Sequence, residues 1–266
     1  MKELINKIHL ANCFDILKQI PDASIDLILT DPPYLSTDLN YDKKASKELD
    51  FKLWRDEILR VAKHNTPILI FSSGKFTYFM VNLFKEYFRY ELIWDKVNKT
   101  TGFVNAGLRP MLTHEFVLYF SKSFMHPGRL SKNGLRANTY NHGVERIQGQ
   151  IQQSKGKSKC TLYSGIKAKL VYQRANDVKY PKSILRFNKS SAKGIHPSAK
   201  PEPLIKYLIE LYSNQNDLVL DTFSGSGVVA KVCKSSNRRF IATELDETFY
   251  TDSIRNLQND LFTNKI

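Results

Sequence analysis

Cysteine is scarce. The 266 residues hold only Cys13, Cys160 and Cys233, far apart, odd in number and without a C-x-x-C spacing. Neither a disulfide framework nor a zinc site follows from such a set. His9, His64, His114, His126 and His142 likewise show no metal-ligand spacing, so no metal is expected. Long apolar runs are missing. No stretch approaches 18 apolar residues, and the opening MKELINKIHL has no long apolar core. The expectation is a cytoplasmic chain with no membrane span and no secretory leader. A complete phosphate loop is absent too. The stretch FSSGKFT over residues 71–77 has Phe76 where Ser or Thr is required, and Leu69 stands where the first Gly belongs. No internal repeat is present.

Acidic residues are nearly absent from one internal stretch. Residues 121–200 contain 17 Lys or Arg against two acids, Glu145 and Asp177, a balance of +15. The whole chain carries +14, so the remainder is −1. Charge this one-sided predicts a polyanionic partner such as nucleic acid, over a merely solvated surface.

With 42% apolar and 12% aromatic residues the chain has enough material for a large core. Nearly continuous apolar runs at 25–30, 67–71, 91–94, 116–120, 218–220 and 240–243 predict strands buried on both faces. Helical stripes lie between some of them. Residues 51–63 place Trp54, Ile58, Val61 and Ala62 on one face behind Asp50 as N-cap, residues 75–88 form a second candidate, and Pro201-Glu202-Pro203 opens a third. Strands alternating with helices predict an α/β fold with a mostly parallel sheet. Residues 35–49 are polar and read as a loop. Residues 124–194 hold most of the basic excess with weak periodicity and read as an insertion for recognition, leaving 1–123 and 195–266 as the main domain.

Two motifs carry chemistry. In DLVLDTFSGSGVVA over 217–230, a strand ends at Asp221 and Gly225-Ser226-Gly227-Val228-Val229-Ala230 fits G-x-G-x-x-A. Glycines there allow a sharp turn and close approach of backbone to a ligand. The next strand ends at Glu244, 17 residues after Gly227, where an acid suits the hydroxyls of a ribose. A nicotinamide dinucleotide enzyme is the natural rival. However, only 45 residues follow Asp221, too few to complete a doubly wound sheet, so the cofactor half of the fold is C-terminal.

The second motif is Asp31-Pro32-Pro33-Tyr34, delivered to the end of a buried strand. The prolines fix φ and remove two N–H donors, leaving carbonyl oxygens as acceptors. Asp31 and the Pro32 carbonyl suit the two N–H groups of an amine on a flat ring, and Tyr34 offers a face for stacking on that ring. A strand end followed by a Pro-Pro turn explains the same residues without function, and these four residues alone do not decide between the two.

Taken together, the motifs resemble the amino-group DNA methyltransferases of the β class, in which DPPY precedes FxGxG and a recognition region lies between. The resemblance implies a Rossmann-like methyltransferase sheet in permuted order and S-adenosylmethionine as cofactor. It implies cofactor contacts at Asp221, Phe223, Ser224, Gly225, Ser226, Gly227, Glu244 and Asp31. His196-Pro197-Ser198-Ala199-Lys200-Pro201 is similar to an HPxxKP element whose lysine, here Lys200, lies near the methionine carboxylate. Asn12 stands where many relatives carry Asp for the adenine of the cofactor. The implied reaction methylates an exocyclic amine of a base flipped out of double-stranded DNA. Asp at the first motif position is typical of N6-adenine enzymes, and N4-cytosine is the alternative. Lys132, Arg136, Arg146, Lys155, Lys157, Lys159, Lys167 and Lys169 are the expected phosphate contacts. A homodimer and a cognate restriction endonuclease are partners the resemblance brings into view, without a sequence signature for either.

Overall fold

The computed structural model describes residues 1–34, 49–103, 106–123, 139–141, 181–189 and 199–263. By internal contacts, Met1–Asn141 and Ser183–Ile266 make one unit and His142–Lys182 a second, of which only Pro181 and Lys182 are described.

The first unit is built on one sheet. Its strands are β1 (Lys7–Leu10), β2 (Leu27–Thr30), β3 (Ile68–Ser72), β4 (Phe88–Asp95), β5 (His114–Phe120), β6 (Ile184–Arg186), β7 (Leu218–Asp221) and β8 (Arg239–Glu244). The spatial order is β1-β8-β7-β2-β3-β5-β4-β6. Every neighbouring pair is parallel except β3 with β5 and β4 with β5. β6 falls inside the stretch 124–194 expected as an insertion, yet it runs along β4 with Trp94 opposite Leu185.

The helices are α1 (Cys13–Leu17), α2 (Phe51–Val61), α3 (Lys75–Leu83), α4 (Glu202–Tyr212), α5 (Val228–Ser235) and α6 (Glu247–Thr263). Asp50 caps α2 by accepting from the N–H groups of Lys52 and Leu53, as its sequence position predicts. The apolar stripe of α2, Phe51, Trp54, Ile58 and Val61, enters a core shared with α1, α3 and the strand residues Ile28, Ile68, Ile70, Leu220 and Ile241. Each fully buried aliphatic side chain there contributes about 1.5–3 kcal/mol. Leu27 and Leu29 point to the opposite face by strand alternation and are equally buried, so both faces of β2 are covered. That explains the unbroken apolar runs.

α3 ends sooner than expected, at Leu83 rather than 88. Phe84 and Phe88 keep a helical spacing, but the chain turns at 84–87 and Phe88 begins β4, where its ring meets Phe120 at 5.7 Å.

Candidate active-site cleft

β2 and β7 are parallel neighbours, so the Asp31 motif and the glycine turn leave the sheet side by side at its C-terminal edge. Thr30 Oγ1 ties the two strand ends by donating to Asp221 Oδ1 at 2.9 Å. Open α/β sheets bind ligands at this edge, where the strand order changes direction. A cleft of about 640 Å³ opens there, lined by Asn12, Asp31, Pro32, Pro33, Tyr34, Lys200, Asp221, Phe223, Ser224, Gly225, Ser226 and Glu244. Gly227 does not line it. Instead Gly227 sits at φ +75 and a Cβ there would meet Ser253 Cβ of α6 at 2.8 Å, so its reason is packing.

The glycine turn is held from several sides. Asp221 is 3% exposed, and its Oδ1 also accepts from the Phe223 N–H at 3.1 Å. Burial lifts its carboxyl to about 7 against those two hydrogen bonds, with Asp31 and Glu244 adding repulsion. Asp221 therefore shapes the turn from inside. Glu244 accepts from the N–H groups of Gly225, Leu245 and Asp246, so it too holds backbone at the tip of β8. Asn12 caps α1 through the Phe14 N–H at the cleft wall. Two features of the turn lack a neighbour within the fold. Ser224 Oγ is buried without a hydrogen-bond partner among the described residues. Among the described residues, Gly225, at φ +50, has nothing beyond its chain neighbours within 4 Å of where a Cβ would stand. A buried hydroxyl without a partner is costly unless something else satisfies it.

The Asp31 side of the cleft is charged. Tyr34 Oη donates to Asp31 Oδ1 at 2.9 Å, and Lys200 Nζ lies 2.5 Å from Asp31 Oδ2. Lys200 also reaches Glu115 Oε2 at 3.2 Å, and Glu115 Oε1 takes Lys96 Nζ at 2.7 Å. Tyr34 stacks on Phe76 with ring centroids 5.2 Å apart, and Lys200 lies over the Phe71 ring at 5.0 Å. Burial raises the Asp31 carboxyl, opposed by Lys200. Burial also acts to raise Glu115, but Lys200 and Lys96 outweigh it and hold that carboxyl below its ordinary range. Lys200 is held above the usual lysine range because Asp31 and Glu115 outweigh its burial. The Tyr34 hydroxyl stays protonated and can only donate to these carboxylates, since burial and the two acids push it well up.

Burying four charges costs several kcal/mol per ion before pairing, and apolar residues of similar volume are often as stable. The network is thus better explained by chemistry than by stability. Sequence reasoning placed Lys200 here, beside the methionine end of a cofactor, and its partners in the structure are Asp31 and Glu115. It missed Glu115 and Lys96. It also passed over Ser73, Gly74 and Lys75, which line the cleft after β3, because that stretch fails as a phosphate loop. A glutamate at the start of the apolar strand β5 and a lysine just past β4 were the available signal. Among the described residues no group of His, Cys, Asp and Glu is arranged for a metal. His196, Pro197, Ser198, Lys132, Arg136, Arg146, Lys155, Lys157, Lys159, Lys167 and Lys169 lie outside the described residues.

Known proteins are similar to this chain in sequence and in fold. The Type II methyltransferase M1.MboII of Moraxella bovis is 30% identical over 261 residues, 92% of this chain and 94% of its own length. The Type II methyltransferase M.HinfI of Haemophilus influenzae is 28% identical over 272 residues, 94% of this chain and 67% of its own. In fold, the chain is similar to M1.HpyAVI solved as its SAM complex, with a TM-score of 0.62 at 21% identity, covering 95% of this chain and 98% of that one. It is also similar to the PvuII cytosine-N4-specific DNA methyltransferase, with a TM-score of 0.63 at 17% identity over 98% and 87% of the two chains. A family model described as DNA methylase, N6_N4_Mtase, matches residues 25–255. With that match across most of its length, the chain belongs to the N6/N4 DNA methylase family.

Proposed function

We propose that the protein transfers a methyl group from S-adenosylmethionine to the N6 amino group of adenine, in a nucleotide flipped out of double-stranded DNA. The observation that carries this reading is the shared cleft. The Asp31 carboxylate, Pro32 and the Tyr34 ring stand at one side, and the open turn Ser224-Gly225-Ser226 stands at the other. Asp at the first motif position supports adenine over cytosine.

Phe223, Ser224, Gly225, Ser226, Asn12 and Glu244 are the residues that would hold the cofactor, with Asp221 shaping the turn and Lys200 on the methionine side. The unpartnered Ser224 hydroxyl and the space above Gly225 fit such a ligand. Bound there, S-adenosylmethionine supplies an electrophilic methyl group. The protein's part is to orient the amine. Asp31 and the Pro32 carbonyl each accept one amino N–H, which favours a pyramidal nitrogen with its lone pair free of the ring. Tyr34 stacks on the extruded base and offsets part of the few kcal/mol that unstacking costs. Asp31 draws the proton density that the nitrogen sheds, without serving as a strong base. Positioning two partners in line accounts for much of the rate.

Residues 124–194, apart from β6 and its flanks, which join the sheet of the first unit, are proposed as the target-recognition region, and 1–123 with 195–266 as the catalytic domain. Lys132, Arg136, Arg146, Lys155, Lys157, Lys159, Lys167 and Lys169 grip phosphates in this reading. A cognate restriction endonuclease, homodimerisation and a cytoplasmic location belong to the same proposal. No helix among the described residues is long and apolar enough to cross a membrane.

The test is to incubate the protein with plasmid DNA and S-adenosylmethionine, digest to nucleosides and identify the product by mass spectrometry. N6-methyladenine is expected. N4-methylcytosine would overturn the choice of base, and an absence of any methylated base would overturn the activity.

A further inference from the structure

Glu115 and Lys96 line the same cleft, joined to Asp31 through Lys200 and to Tyr34 directly. The register of β4 and β5 sets Glu115 opposite Trp94, with Lys96 one step beyond the end of β4. β3 lies between β2 and β5, so the charges form a line across its C-terminal end: Lys96, Glu115, Lys200, Asp31. Lys96 is 2% exposed and is fixed further by its N–H to the Thr113 carbonyl. Glu115 is thereby anchored by one oxygen and shares the other.

Both Asp31 oxygens are already engaged, one by the Tyr34 hydroxyl and one by Lys200. Each carboxylate oxygen can accept a second hydrogen bond, but releasing one of these donors leaves Asp31 a stronger and less crowded acceptor for an amino N–H. The Tyr34 hydroxyl has a second acceptor within reach, Glu115 Oε2 at 3.5 Å, and only the O–H need turn. We propose that Glu115, anchored by Lys96, is a positioning residue for methyl transfer: it takes over the Tyr34 hydroxyl and shares Lys200, freeing an Asp31 oxygen for the amine. This rests on Asp31 being the acceptor of the amine. Glu115 also acts on Asp31 through charge, raising its carboxyl, while Lys200 lowers it. The other charged groups lining the cleft among the described residues are Asp221 at the end of β7, Glu244 at the end of β8, Lys75, Arg109, Asp246, and Lys189, which feels Lys96, Glu115 and Lys200.

The experiment compares single-turnover methylation against pH for the full-length protein, Glu115→Gln, Lys96→Met and the double variant, with cofactor and DNA affinities measured alongside. Glu115→Gln removes a negative charge and leaves Lys200 wholly to Asp31. The rate should fall about 10–100-fold, and the acid limb should move to lower pH. Lys96→Met leaves the Glu115 charge without its anchor, so the acid limb should move to higher pH. Affinities should change by less than about threefold, and the double variant should fall between the singles. A structural role moves neither limb in opposite directions. Wild-type rates and limbs in Glu115→Gln would overturn the proposal, as would limbs shifted the same way in both singles. If Lys96→Met does not fold, Lys96→Gln replaces it and Glu115→Gln alone decides the rate. Asp31→Asn separates the two levels. If it stays active, the reading of Asp31 falls and the inference with it. If it is inactive while Glu115→Gln is normal, only the inference falls.

Discussion

Replacing Asp31 by alanine is expected to slow methyl transfer to DNA by about a thousandfold, the scale of a lost proton acceptor or a lost preorganised charge. The change removes the carboxylate that pairs most closely with both Tyr34 and Lys200, at 2.9 and 2.5 Å against 3.5 and 3.2 Å for Glu115. It removes little from the glycine turn, whose shape is held by Asp221, Thr30 and Glu244. The loss should therefore fall on the chemical step, with cofactor affinity much less affected. Lys200 keeps Glu115 as a partner, so its ammonium is not left alone in the variant. Asp31→Asn keeps the volume and one acceptor oxygen, and should be nearly as slow. The pH profile gives a second readout. Burial raises the Asp31 carboxyl. Activity should be full above that raised pKa and be lost as pH falls through it, at a pH higher than an ordinary aspartate would give. In Asp31→Asn the residual activity should lack that limb. Near wild-type turnover in Asp31→Ala would remove the residue from the mechanism.

The second large effect concerns folding. Gly227→Ala should destabilise the protein by about 2–4 kcal/mol, because it combines a left-handed backbone with a steric clash. Gly227 stands at φ +75 at the start of α5, and an added Cβ meets Ser253 Cβ at 2.8 Å, Ser253 Cα at 3.1 Å and Ile8 Cδ1 at 3.2 Å. The two Ser253 atoms cannot swing away, since Ser253 is fully buried on α6 and its Cα is backbone; only the Ile8 Cδ1 end can give. Gly225→Ala is the control. It also has positive φ, at +50, but its Cβ enters open space, so only the conformational cost of about 1–2 kcal/mol remains. Urea denaturation should rank the two in that order. Equal losses would mean that backbone conformation alone, without the α5–α6 contact, explains both glycines.

The pair separates what was legible in the sequence from what was not. The G-x-G-x-x-A pattern located the turn, but not that its last glycine serves helix packing while Gly225 faces the cleft. The buried strands were legible because β2, β3 and β7 are covered on both faces and leave unbroken apolar runs. β1 and β6 were not, since each is short and buries a single residue, Ile8 and Leu185. α6 was passed over because its surface is largely polar. The adjacency of Asp31 and the glycine turn followed from motif order and a shared sheet. The Lys96–Glu115 pair did not, because its residues lie 19 positions apart and meet only through the β4–β5 register. Glu244 was found as an acid at a strand tip, but its hold on three backbone N–H groups depends on how the turn folds back over β8.

The central claim is that the turn after β7 holds S-adenosylmethionine beside Asp31. The most direct test is calorimetric titration of S-adenosylmethionine into the wild type and Ser224→Ala, with the melting temperature of each free protein measured in parallel. Ser224 Oγ is buried and unpartnered among the described residues, so removing it should leave the free protein as stable or more stable. Cofactor affinity should fall about 5–10-fold, the value of one hydrogen bond made only in the complex. Unchanged affinity in Ser224→Ala would contradict the account, because the hydroxyl left open by the fold would then have no ligand to meet.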